Sequence, residues 1–94
     1  SSETGSYITL DGTSTLRLGE TEIYNASVII NDIETANVVT FTIENSDLIE
    51  YSVVGNELSV MVKNMFDSIG KTFKITATYN ALTVEKTITI RGLV

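Results

Sequence analysis

Three short stretches hold residue types from which catalytic or ligand-binding chemistry is built. Gly70-Lys71-Thr72 has the letters that close a phosphate-binding loop, and Ser68-Ile69-Gly70-Lys71 has the Ser-x-x-Lys spacing of serine acyl-enzymes. Asn31-Asp32-Ile33-Glu34, with Asp11 and Asp47 elsewhere, offers oxygen ligands to a hard cation. Each lacks what its chemistry requires. A phosphate loop needs glycine at position 65 and a helix after the threonine, because backbone amides cradle the phosphates. Met65 stands there, and strand-like alternation follows, so the motif reads as a turn into a strand. The Ser-x-x-Lys pair works from a helix lining a far larger pocket. Calcium takes about six to eight oxygens, more than this loop supplies, so the acids read first as solvated.

The chain has no Cys and no His, which removes thiol and imidazole nucleophiles, Cys/His zinc sites and disulfides together. No catalytic, metal or cofactor residue is therefore assigned. Asn25-Ala26-Ser27 spells a glycosylation sequon but falls inside an expected strand rather than a loop. Lys86 interrupts an otherwise apolar inward row. It reads as an edge charge or a side chain that snorkels to solvent, with an isopeptide bond to Asn25 beside Glu22 as the sharper alternative. Of the four tyrosines, Tyr24 and Tyr79 fall in core phase; all four read first as core or edge packing, with Tyr51 the candidate for a glycan contact.

The elements that would position these residues are strands. Apolar and polar residues alternate with period two through Tyr7–Leu10, Thr15–Leu18, a stretch from Glu22 to Ile30, Val39–Ile43, Leu48–Val54, Glu57–Lys63, Thr72–Tyr79 and Leu82–Ile90. The predicted inward set is Tyr24, Ala26, Val28, Val39, Phe41, Ile43, Leu58, Val60, Val62, Phe73, Ile75, Ala77, Val84 and Ile88. Phe41 is expected at the centre, filling the space between sheets stacked about 10 Å apart. Gly19, Gly55 and Gly70 sit where the chain must turn sharply, conformations that a Cβ disfavours. Met65, Phe66 and Ile69 break the alternation and suggest one helical turn capping a sheet end.

Ninety-four residues suffice for one domain, expected over 7–94 after a linker or expression tail at 1–6. Close-spaced turns and no amphipathic helix give the fold class: all-β, about seven strands packed as two antiparallel sheets. Twelve acids against six bases leave a net charge of −6, which repels phosphate backbones and disfavours nucleic-acid binding. The first fifty residues carry nine of the acids and only Arg17. Interleaved strands are expected to disperse this asymmetry rather than make two poles. No apolar run approaches the roughly 20 residues that cross a bilayer as a helix, so membrane insertion is not expected.

Three stretches carry a family resemblance. Leu16-Arg17-Leu18-Gly19-Glu20-Thr21 precedes a long strand. Val39-Thr40-Phe41-Thr42-Ile43-Glu44-Asn45-Ser46-Asp47 places an aromatic before a polar turn. Gly70-Lys71-Thr72-Phe73-Lys74-Ile75-Thr76-Ala77-Thr78 leads towards Thr87-Ile88-Thr89-Ile90. Together, over roughly residues 7 to 90, these resemble the bacterial immunoglobulin-like domains of group 2, found in intimin- and invasin-type surface proteins and in phage virion proteins. Phe41 stands where that family usually has Trp, and the segment from Met65 to Ile69 lengthens the connection before Gly70. The resemblance implies an immunoglobulin-like antiparallel β-sandwich acting as a non-catalytic structural or interaction module, on a virion or a cell surface. Its implied partners are other domains of the same parent chain, virion proteins or host cell-surface glycans. The rival expectation is a carbohydrate-binding module of a secreted enzyme.

Overall fold

β-branched residues alternating with Thr, Ser and Glu build strands along most of the chain, and short polar turns join them. The computed structural model describes residues 5–93. Its strands are β1 (Tyr7–Asp11), β2 (Thr15–Arg17), β3 (Thr21–Ile30), β4 (Ile33–Thr35), β5 (Thr40–Glu44), β6 (Ile49–Val54), β7 (Glu57–Val62), β8 (Thr72–Tyr79) and β9 (Leu82–Arg91). Two single 3₁₀ turns, Ser46–Leu48 and Phe66–Ser68, complete the elements.

The strands form two layers. The first sheet runs β1-β3-β7-β6, with β4 added beside the far half of β3, and the second runs β2-β9-β8-β5. All neighbours are antiparallel except β2 and β9, which run parallel. The expected two-sheet sandwich is therefore present, with nine strands among the described residues rather than about seven. β4 escapes sequence reading because three residues are too few to display a period. It forms because Asn31 and Asp32 both adopt positive φ (52° and 66°), the geometry of a tight two-residue hairpin, which folds Ile33 back onto Ile30.

The core is built from Tyr24, Ala26 and Val28 of β3 and Leu58, Val60 and Val62 of β7. Facing them are Phe73, Ile75 and Ala77 of β8 and Ile88 of β9, with Val39 from the crossover before β5. All of these are buried, and Ile8, Leu10, Leu16 and Ile90 join them. Phe41 is not the central ring. It lies half-buried with Ile43 on β5, and Val84 is half-buried on β9. β5 is the outer strand of its sheet, so its inward side chains have packing partners on one flank only. The fully buried rings are Phe73, on an inner strand, and Tyr24.

One further expectation changes. The turn at Phe66–Ser68 forms, but Met65, Phe66 and Ile69 stay exposed and Ser68 is the residue buried beneath it. These three side chains do not cap that end. Gly19, Gly55 and Gly70 each adopt positive φ (78°, 59° and 89°). Gly5 and Ser6 are tied to the β3–β4 hairpin: the Gly5 carbonyl accepts the Asp32 amide at 2.7 Å, and Ser6 Oγ accepts the Asn31 amide at 3.2 Å. Of the segment read as a tail, residues 1–4 lie outside the described residues, as does Val94.

Candidate functional site

Strand register assigns residues to two poles. The Thr21 end of β3 pairs with Met61, and one step further the Gly19 amide bonds the Val62 carbonyl. β2 and β9 finish at this level: Arg17 pairs with Arg91, and the Leu18 amide bonds the Arg91 carbonyl. The Asn31–Asp32 hairpin and Glu34 lie at the other end of β3, ten residues and roughly 30 Å away at about 3.3 Å per residue. The molecule is correspondingly long, 51 × 25 × 19 Å. Asp32 and Glu34 lie at one pole, and Glu20 and Asp47 lie at the other, where two arginines also stand side by side, so the acids of the first fifty residues are spread over both ends.

Those arginines line an open groove of about 490 Å³ with Ile69, Gly70, Thr89, Ile90 and Gly92. It forms where β2 and β9 end together on the outer side of the second sheet, against the turn leading into β8. Positive φ at Gly70 lets that turn approach β9, where the Gly70 amide bonds the Ile90 carbonyl at 2.8 Å and the Ile90 amide bonds the Lys71 carbonyl at 2.9 Å. Arg17 Nη1 donates to the Gly92 carbonyl at 3.3 Å, and the Arg17 amide donates to Glu20 Oε1 at 2.8 Å. Neither guanidinium forms an ion pair among the described residues. Among the described residues no acid lines the groove, and Ile69 is 45% exposed at its rim.

The motifs with catalytic spacing do not assemble a reactive site. The Ser68 hydroxyl donates to the Met65 carbonyl of its own turn at 2.7 Å, while Lys71 is exposed at the start of a strand. Asp11 lies midway along the first sheet, opposite Asn25, and Asp47 belongs to the turn at the pole away from Asp32. No three acids gather to hold a metal among the described residues. Asn25 is exposed, one step out of phase with buried Tyr24 and Ala26. It therefore faces away from the second sheet, where Lys86 lies half-buried opposite Ile75, and the two cannot meet in an isopeptide bond. Tyr51 is exposed beside a shallow depression of about 300 Å³ with Thr21, Glu50, Ser52, Ser59 and Met61.

Two side-chain clasps were not legible as such. β1 leaves the first sheet and β2 joins the second, and Gly12 makes the passage over the face of Tyr24. A Cβ at Gly12 would overlap the Tyr24 ring carbons Cδ2 and Cε2. The Tyr24 hydroxyl then donates to the Thr13 carbonyl at 2.8 Å. Burial raises the Tyr24 pKa above 10.0, with Glu22 and Glu20 adding in the same direction. Asn56, in the β6–β7 turn, holds the crossover between sheets: its Oδ1 accepts the Val39 amide and its Nδ2 donates to the Asn37 carbonyl, both at 2.9 Å. The dipeptide Gly55-Asn56 signalled a hairpin, and nothing in its letters pointed to a reach across to residues 37–39. On the outer face, Lys74 bridges Glu44 and Glu85 at 3.6 Å each and joins β5, β8 and β9.

No protein-family model matches the chain, and no curated protein matches it in sequence. Solved structures match in shape. The twitchin kinase region from C. elegans (Fn31-NL-kin-CRD-Ig26) is 12% identical with a TM-score of 0.57, and the match covers 95% of this chain. This chain spans 16% of that one. The titin M10–obscurin-like 1 Ig complex is 11% identical with a TM-score of 0.59, covering 95% of this chain and 96% of that one. At such identities the likeness concerns the fold alone, and the fold is an immunoglobulin-like β-sandwich.

Proposed function

We propose that this domain is a non-catalytic structural and interaction module of a longer chain, of the bacterial immunoglobulin-like group 2 kind, carried on a phage virion or a bacterial surface. The observation that carries the reading is the path of the backbone through a 51 Å sandwich. It enters beside Asp32 at one pole and leaves through Gly92 at the other. A domain threaded this way adds its full length to whatever chain contains it, which suits spacing. The Gly19-Glu20, Phe41 and Gly70-Lys71-Thr72 stretches support the bacterial group, and a virion is preferred over an adhesin by analogy only. Its partners in this reading are neighbouring domains of the same parent chain, virion proteins or host surface glycans, and no nucleic acid.

A second reading, a carbohydrate-binding module, draws on exposed Tyr51 at its shallow depression. Sugar recognition of this kind relies on aromatic faces, and Tyr51 is the sole aromatic lining that depression. A glycan array probed with the isolated domain separates the two. The spacer reading expects no saturable binding, whereas a specific hit abolished by Tyr51→Ala transfers the case to the carbohydrate module.

A further inference from the structure

We propose that the domain docks head to tail on a second copy of itself, the β3–β4 hairpin of one copy seated in the Arg17/Arg91 groove of the next. The two surfaces are chemically complementary. Among the described residues the groove offers two guanidinium groups without an ion pair, Arg17 also donating to the Gly92 carbonyl, beside a half-exposed Ile69 and with no acid in the lining. The hairpin offers Asp32 and Glu34 flanking Ile33, which is 67% exposed. Neither acid is ion-paired among the described residues. Arginine forks match carboxylates in bidentate geometry, and the two exposed isoleucines offer apolar contact beside them.

The hairpin is also built to insert. Its turn is the two-residue kind with both residues at positive φ, braced by the bonds from Gly5 and Ser6, so little ordering is left to lose on docking. Within one molecule the acidic tip and the groove are roughly 30 Å apart, several times the Debye length of about 8 Å at physiological salt. They cannot satisfy each other at home. Because the complementary surfaces lie at opposite poles, the contact is heterologous and repeats as an open chain rather than closing as a symmetric dimer. It brings Gly92 of one copy beside Gly5 of the next, an order in which tandem domains could follow one another. The proposal stands independently of the spacer reading, since a domain with no self-affinity would still space its neighbours.

The test is sedimentation velocity with small-angle scattering on the whole domain, from about 10 µM to about 1 mM in about 0.15 M salt, the range in which small polar interfaces assemble. The expected result is concentration-dependent elongation, with species growing along the long axis beyond the 51 Å monomer. Association is lost in about 1 M salt, where screening falls to about 3 Å. Neutralising the groove (Arg17→Gln with Arg91→Gln) or the hairpin (Asp32→Asn with Glu34→Gln) leaves each variant monomeric alone. Mixed together, they form a 1:1 heterodimer that grows no further, since each retains one competent pole. All four residues are exposed, so unchanged circular dichroism and melting verify the fold. A wild type that stays monomeric throughout, a closed dimer, or association indifferent to both neutralised pairs overturns the proposal.

Discussion

Tyr24→Phe isolates the bond that holds the β1–β2 passage against the core. The substitution keeps the ring that seats on Gly12 and deletes only the hydroxyl bonded to the Thr13 carbonyl at 2.8 Å. Thr13 is exposed, so its freed carbonyl can bond water, and the cost is that of an ordinary neutral hydrogen bond, about 0.5–1.5 kcal/mol, rather than of a buried orphan. For a domain of this size, about 1 kcal/mol lowers the melting temperature by roughly 4–8 °C. The pH profile supplies a second readout. Folding raises the Tyr24 pKa, so below the unfolded value of about 10 both states hold the proton and its contribution is complete. Above pH 10 the unfolded tyrosine ionises first, and that contribution declines as pH rises through the folded pKa. Urea unfolding of wild type and variant from pH 7 to pH 11 should show a constant stability difference to about pH 10, then a shrinking one. Tyr79→Phe, whose hydroxyl makes no hydrogen bond among the described residues, serves as the control. A variant that melts with the wild type, or a difference that widens in alkali, would refute the assignment of the hydroxyl to this clasp.

Two further substitutions test the packing. Phe73→Ala should cost about 3–5 kcal/mol, because the ring is 1% exposed in the inner strand β8, while Phe41→Ala should cost only about 1–2 kcal/mol from the half-buried edge. Equal shifts in urea midpoint would restore Phe41 to the centre. Asn56→Ala removes both bonds to the crossover and should cost about 1–3 kcal/mol, with amide exchange at Val39 accelerated roughly tenfold or more. Unchanged exchange at Val39 would show that the crossover holds itself.

What the alternation of the sequence determined on its own was the class of fold and the phase of most strands. Period two commits one face of each strand to water and the other to apolar contact, and a single open sheet would leave that second face wet. β8 begins and ends where its letters predict, at Thr72 and Tyr79, and β9 extends one residue past its predicted end at Ile90. Turn chemistry was legible for the same local reason: Gly19, Gly55 and Gly70 occupy positive φ, which any single turn must resolve with its own residues.

Position within the sheet was a property of the assembly. Phe41 and Phe73 have the same letter and phase, yet one lies on an edge strand and the other is flanked on both sides, because strand order depends on pairings between residues far apart in sequence. The clasps of Tyr24 and Asn56 span residues that only the two-layer packing brings into reach. The meeting of the two arginines arose in the same way. Arg17 and Arg91 are seventy-four positions apart and become neighbours through the parallel pairing of β2 and β9, while Asp32 and Glu34 are carried to the far end by the length of β3. Local letters set the phase of each strand because steric and solvation preferences act residue by residue. Which strands become neighbours, and so where their charges meet, depends on contacts that exist only once both sheets have closed on the core.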